Sequence, residues 1–109
     1  MEPDNVRCLV IDHRVLAPTE PGVVYHGDED DRPYATDANK FAFFCAAVAS
    51  WLITRPADPA VLHLHDWHSG ILAVLRRFDA RYVRLARIPT VFTIHNLAYQ
   101  GQRPLRDDP

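Results

Sequence analysis

Apolar positions along this chain of 109 residues fall into segments of different period. VRCLVI at 6–11 is a short unbroken run with β-branched residues, the pattern of a strand buried on both faces. The next stretch, DHRVLAPTEPGVVYHGDEDDRPYATD, mixes proline, glycine and acid, and predicts an excursion outside the core. The period then changes. Phe41, Phe44, Cys45, Val48 and Leu52 stand at i, i+3, i+4, i+7 and i+11, which is one face of a helix. Thr36 or Asp37 can cap its free backbone N–H groups, and TRPADP ends it because proline cannot continue a helix.

AVLHLHD predicts a second strand, and a second helix follows with Ile71, Val74, Leu75 and Phe78 on one side. PTVFTIHN, opened by Pro89 and Thr90, is the strongest strand pattern in the chain. Strand, helix, strand, helix, strand implies right-handed crossovers and a parallel sheet, an α/β arrangement. In such sheets ligands bind at the carboxyl ends of strands, beside the N-termini of the following helices. HDWH ends the second strand and HNLAYQG ends the third, so polar and aromatic residues from two neighbouring segments gather at one edge.

Composition narrows the class only slightly. Apolar residues make up 48% and charged residues 24%, an ordinary globular balance. A net charge of -2 gives no reason to expect nucleic acid as a partner. GDEDD reads as a solvated acidic loop, and Arg76, Arg77, Arg81, Arg84 and Arg87 as a solvated basic face. No apolar stretch approaches the ~20 residues of a membrane helix, and MEPDNVR is not a signal peptide. Cys8 and Cys45 read as reduced, buried thiols of a cytoplasmic protein.

The dense HLHDWHSG segment allows several chemistries. His63 and His65, two apart on a strand, point to one face and suit zinc. HLHDWH nearly spells the H-x-H-x-D-H of metallo-hydrolases, but its aspartate stands one place early and no second carboxylate cluster follows. A sugar asks for something else: carboxylates and amides for its hydroxyls, and an aromatic ring for its C–H face. Asp66, Trp67, His95, Asn96, Tyr99 and Gln100 supply that set. A dinucleotide site lacks its G-x-G-x-x-G, and Ser69 lacks the G-x-S-x-G elbow of a hydrolase nucleophile.

At these residues a family resemblance emerges. VLHLHDWHSGILAVLRR followed by IPTVFTIHNLAYQG resembles the N-terminal domain of bacterial glycogen synthases and plant starch synthases. The likeness extends through PGVVYHG, RPYATD and KFAFFCAAVASWL, and so covers most of the chain. Two departures lie away from the pocket residues: Lys40 stands for the arginine of the family's D-N-x-x-R-F pattern, and TEPG replaces the usual R-P-G.

The resemblance implies a Rossmann-like parallel sheet within a GT-B enzyme, two Rossmann-like domains with the active site between them. It implies retaining transfer of glucose from ADP-glucose to the non-reducing end of an α-1,4-glucan, with no cofactor and no metal. Carried over residue by residue, His95 would bind the transferred glucose and Asp66 would contact it near the reacting centre. Tyr25, Trp67 and Asn96 would line the acceptor side, and Tyr99, Gln100 and Gly101 would form the loop shaping that wall. The family's K-x-G-G-L loop and its second domain fall outside these residues, so 1–109 read as a partial N-terminal domain whose partner is the C-terminal domain of the same enzyme. Location would be the cytoplasm, or the plastid in a plant. The competing class is a carbohydrate-binding or interaction remnant without chemistry, with a zinc hydrolase behind it.

Overall fold

The computed structural model describes residues 6–28 and 34–102. Helix α1, Ala35–Ile53, is rich in alanine and free of glycine and proline, which favours an uninterrupted helix. Strand β1, Leu62–His65, runs straight into helix α2, Asp66–Phe78. A 3₁₀ helix over Ala80–Arg87 leads to strand β2, Thr90–Thr93. The two strands are parallel, with Leu62 opposite Thr90 and His65 opposite Thr93. The predicted β1–α2–β2 unit is therefore present, with α1 before it.

The pleat sorts β1. Leu62 and Leu64 are buried towards the helices, whereas His63 and His65 are exposed on the opposite face. The buried core joins Cys45, Ala49 and Leu52 of α1 to Leu62, Leu64 and Leu72, with Tyr82, Leu85 and Ile88 closing it.

Several expectations are corrected by this packing. VRCLVI is not a strand: it has no pairing partner among the described residues, and Val6, Cys8 and Val10 are exposed. A lone extended segment has no neighbour to satisfy its backbone, so apolar character alone does not make it sheet. In α1 the buried stripe is Cys45, Ala49 and Leu52, while Phe44 faces outward. In α2, Leu75 of the predicted face packs against the core, Ile71, Val74 and Phe78 of that face are exposed, and Leu72 is the buried residue. Amphipathic period identifies a helix but not which stripe meets the core when two stripes are apolar.

Neither expected cap caps. Tyr34, in the left-handed region at φ 58°, precedes α1 without a side-chain cap, and Asp28 accepts from the Thr36 N–H (2.9 Å). Asp28 belongs to the acidic run; residues 29–31 of that run lie outside the described residues.

Of the five arginines, Arg77, Arg81 and Arg87 are exposed as expected, whereas Arg76 and Arg84 are partly buried and engaged. Arg76 donates to the carbonyls of Leu85, Ala86 and Ile88 and to the Thr90 hydroxyl, fastening α2 to the start of β2. Arg84 and Arg87 converge on Asp58, and Arg84 also donates to the carbonyls of Ile53 and Arg55 behind α1. Forked guanidinium groups suit this bridging of carbonyls. Those two arginines hold the Asp58 carboxyl below the usual carboxylate range, Arg87 first.

Candidate functional site

The site forms where β1 and β2 end side by side. Asp66 is the first residue of α2 and sits in the left-handed region at φ 55°. That conformation is costly for a residue with a Cβ, and Asp tolerates it better than most. Ser69, one turn into α2, accepts from the His65 N–H (2.7 Å) and donates back to the His65 carbonyl (2.7 Å), bracing the sharp junction. From there Asp66 Oδ1 accepts from the His95 N–H across the gap (2.6 Å). The backbone bond from His95 chiefly holds the Asp66 carboxyl below its ordinary range, with His95 charge and the Asn96 N–H adding to it. Asp66 is thus an anion at neutral pH, fixed to the loop that follows β2.

That loop is shaped by its own amides. Asn96 Oδ1 accepts from the Ala98 N–H (2.8 Å), an Asx turn, and Gln100 Nε2 donates to the Leu97 carbonyl (2.6 Å). Among the described residues nothing engages the Asn96 amide donors or the Gln100 carbonyl oxygen. A cleft of about 250 Å³ results, lined by Asp66, Trp67, Asn96, Tyr99 and Gln100 over an apolar floor of Phe92, Ile94 and Leu97.

The remaining predicted residues flank this cleft. Gly101, at φ 65°, lies flat against the Trp67 indole, and any Cβ there would overlap the ring. That close approach is why the loop needs glycine. Tyr25 stands nearly parallel to Trp67, with ring centroids 6.4 Å apart at 11°. Its hydroxyl is 2.7 Å from His68 Nε2. His95 does not line the cleft and meets it only through the backbone N–H that anchors Asp66. Its imidazole turns the other way, with Nε2 3.0 Å from His65 Nδ1, and His63 Nε2 lies 2.7 Å from the Thr93 hydroxyl. Among the described residues no three His, Cys, Asp or Glu side chains converge to hold a metal.

Three residues near the site escaped the sequence reading. His68 meets Tyr25, and burial pushes its pKa below the ordinary imidazole value. Tyr34 and Phe41 approach Trp67 edge-on or tilted, with centroids 5.5 and 5.1 Å away. Phe41 carries a helix-face signal that is indistinguishable from core, and Tyr34 sits in a segment without periodicity. Cys45 is no nucleophile: burial pushes its thiol up to about 11.

Fold and cleft together define a parallel α/β segment with a polar and aromatic cleft at its strand ends. Over residues 1–108 the sequence matches the starch synthase catalytic domain, and the chain belongs to that family. It is 43% identical over 79 residues to glycogen synthase 2 of Geobacter sulfurreducens, covering 72% of this chain and 15% of that protein. It is 44% identical over 71 residues to the glycogen synthase of Anoxybacillus flavithermus, covering 62% and 14%. With the glycogen synthase of Exiguobacterium sibiricum it shares 37% identity over 107 residues, covering 95% and 20%. The chain therefore spans a fifth or less of the length of these relatives. No solved structure matches it.

Proposed function

We propose that this chain forms part of the N-terminal domain of a glycogen or starch synthase, a GT-B enzyme that transfers glucose with retention from ADP-glucose to an α-1,4-glucan. The observation carrying this reading is the anchored Asp66 carboxylate at the mouth of the cleft it shares with Trp67, Asn96, Tyr99 and Gln100. The transition state of glucosyl transfer carries positive charge at the anomeric carbon, and a fixed anion beside it needs no reorganisation to stabilise that charge. Trp67 covers the sugar's C–H face, and Asn96 and Gln100 meet hydroxyls.

His95 contributes its backbone at the reacting end, and its imidazole reaches the transferred glucose only by leaving His65 Nδ1. Tyr25 extends the acceptor wall beyond Trp67, and Gly101 lets the loop close on it. The diphosphate of the donor is held by a second Rossmann-like domain. The reaction uses no resident metal or cofactor. The enzyme works in the cytoplasm, or in the plastid of a plant; among the described residues no helix is long and apolar enough to cross a membrane.

The test is transfer of labelled glucose from ADP-glucose to glycogen by a protein carrying this segment within the length of its relatives. Asp66→Ala and His95→Ala are each expected to lower turnover by about a hundred- to thousandfold. Melting temperatures should stay near that of the parent. Near-parental turnover in either variant removes that residue from the active site. A lowered melting temperature with turnover per folded molecule intact would instead make it a brace for the loops.

A further inference from the structure

Asp37 and Lys40 are the two charged residues buried in the described structure, at 0% and 5% exposure. They stand one turn apart on α1, with Lys40 Nζ 2.9 Å from Asp37 Oδ1. Both also reach outside the helix. The Asp37 carboxylate accepts from the His26 N–H with both oxygens, at 3.1 and 3.0 Å, and its Oδ1 lies 3.2 Å from His26 Nδ1. Lys40 Nζ donates to the Val24 carbonyl. The two residues gripped are the neighbours of Tyr25 on either side.

We propose that the Asp37–Lys40 pair is a positioning device that clamps the backbone on both sides of Tyr25 and so aims its ring at Trp67 and His68. Residues 22–28 belong to no helix or strand, so no ladder of backbone bonds orients Tyr25. The clamp supplies that order from α1. A buried ion pair is a poor route to stability, because desolvation offsets most of the attraction, and apolar residues of similar volume often serve as well. Its use here is directional: a cation finds the Val24 carbonyl and an anion finds the His26 N–H. Burial would raise the Asp37 carboxyl, but hydrogen bonds from Lys40 and His26 outweigh it and keep Asp37 below the ordinary carboxylate range, so Asp37 is an anion at neutral pH.

The geometry stands by itself; its value for acceptor binding rests on the reading of Tyr25 as part of a glucan-facing wall. Losing the clamp should then weaken acceptor binding, because Tyr25 would no longer be held in place before the sugar arrives.

Two measurements on the 109-residue chain test the clamp directly. In the wild type the His26 amide should exchange as slowly as the protected amides of α1, and nuclear Overhauser contacts should join the Tyr25 and Trp67 rings. Exchange of His26 at the rate of an open peptide, beside protected α1 amides, would overturn the proposal without any variant. In Asp37→Val/Lys40→Met the contacts should vanish while the melting temperature moves little; a folded double variant that keeps them also overturns it.

Maltoheptaose affinity tests the consequence. Asp37→Val/Lys40→Met and Tyr25→Ala should each lower it about tenfold, and the triple variant no further, since both act through one ring. If Tyr25→Ala leaves affinity unchanged, the glucan-wall reading of Tyr25 fails, while exchange and ring contacts still decide the clamp. If Tyr25→Ala weakens binding and the double variant does not, the positioning role fails.

Discussion

Single residues carry conformations that the site could not do without. Asp66 and Gly101 both have positive φ, at 55° and 65°, and both border Trp67's cleft. Gly101→Ala should strain the backbone and push against the indole, costing about 1–3 kcal/mol locally. The expected outcome is a changed near-ultraviolet signal from Trp67 with far-ultraviolet helix content retained; an unaltered Trp67 environment would show that the loop does not press on the ring. Asp37 makes a pH prediction at the same scale. Its folded pKa lies below the ordinary value of 3.8, so its contribution is present above that value and lost as pH falls through the folded pKa. Thermal melts from neutral pH to below about pH 4 should therefore lose more stability in the wild type than in Asp37→Asn. Equal acid slopes in the two proteins would contradict the buried pairing.

At the scale of elements, the arginine-rich connection behaves as a set of fasteners. Arg76 serves three carbonyls and one hydroxyl between Leu85 and Thr90, a stretch whose 3₁₀ turns cannot satisfy all their own acceptors. Arg76→Ala should destabilise the chain by about 1.5–3 kcal/mol, the worth of charged hydrogen bonds to partly buried acceptors. Arg77→Ala, on the exposed side, should stay within about 0.5 kcal/mol. Denaturant midpoints of the two variants give the comparison, and equal midpoints would mean that Arg76 fastens nothing. Sequence could not separate the two neighbours. A run of arginines on a helix and its connection has the same pattern whether the carbonyls that receive it are near or absent.

For the molecule as a whole, the helix face of Ile71, Val74 and Phe78 and the β2 residues Val91 and Phe92 are exposed. Apolar area of this kind is normally covered in a complete sheet with helices on both faces. The 109-residue chain by itself is expected to give no incorporation of labelled glucose from ADP-glucose into glycogen, because among the described residues no cation lines the strand-end cleft to meet the donor's diphosphate. Incorporation above a heat-killed control would refute the need for a second domain.

Local pattern alone determined a good deal of this protein. The alanine-rich helix, the alternation that turns His63 and His65 to one face, the parallel pairing across α2 and the burial of Cys45 all follow from period and propensity over a few residues. The meeting of HDWH and HNLAYQG also follows, since parallel strands of one sheet end on the same side. Tertiary structure decided the rest. VRCLVI has strand composition and no partner among the described residues, α2 buries Leu72 rather than its other apolar stripe, and Asp37 spends its carboxylate on His26 instead of a cap. In each case the residue had two chemically equivalent uses, and the choice depended on a neighbour distant in sequence. An acceptor, a partner strand or a carbonyl becomes available only when the chain has brought it there.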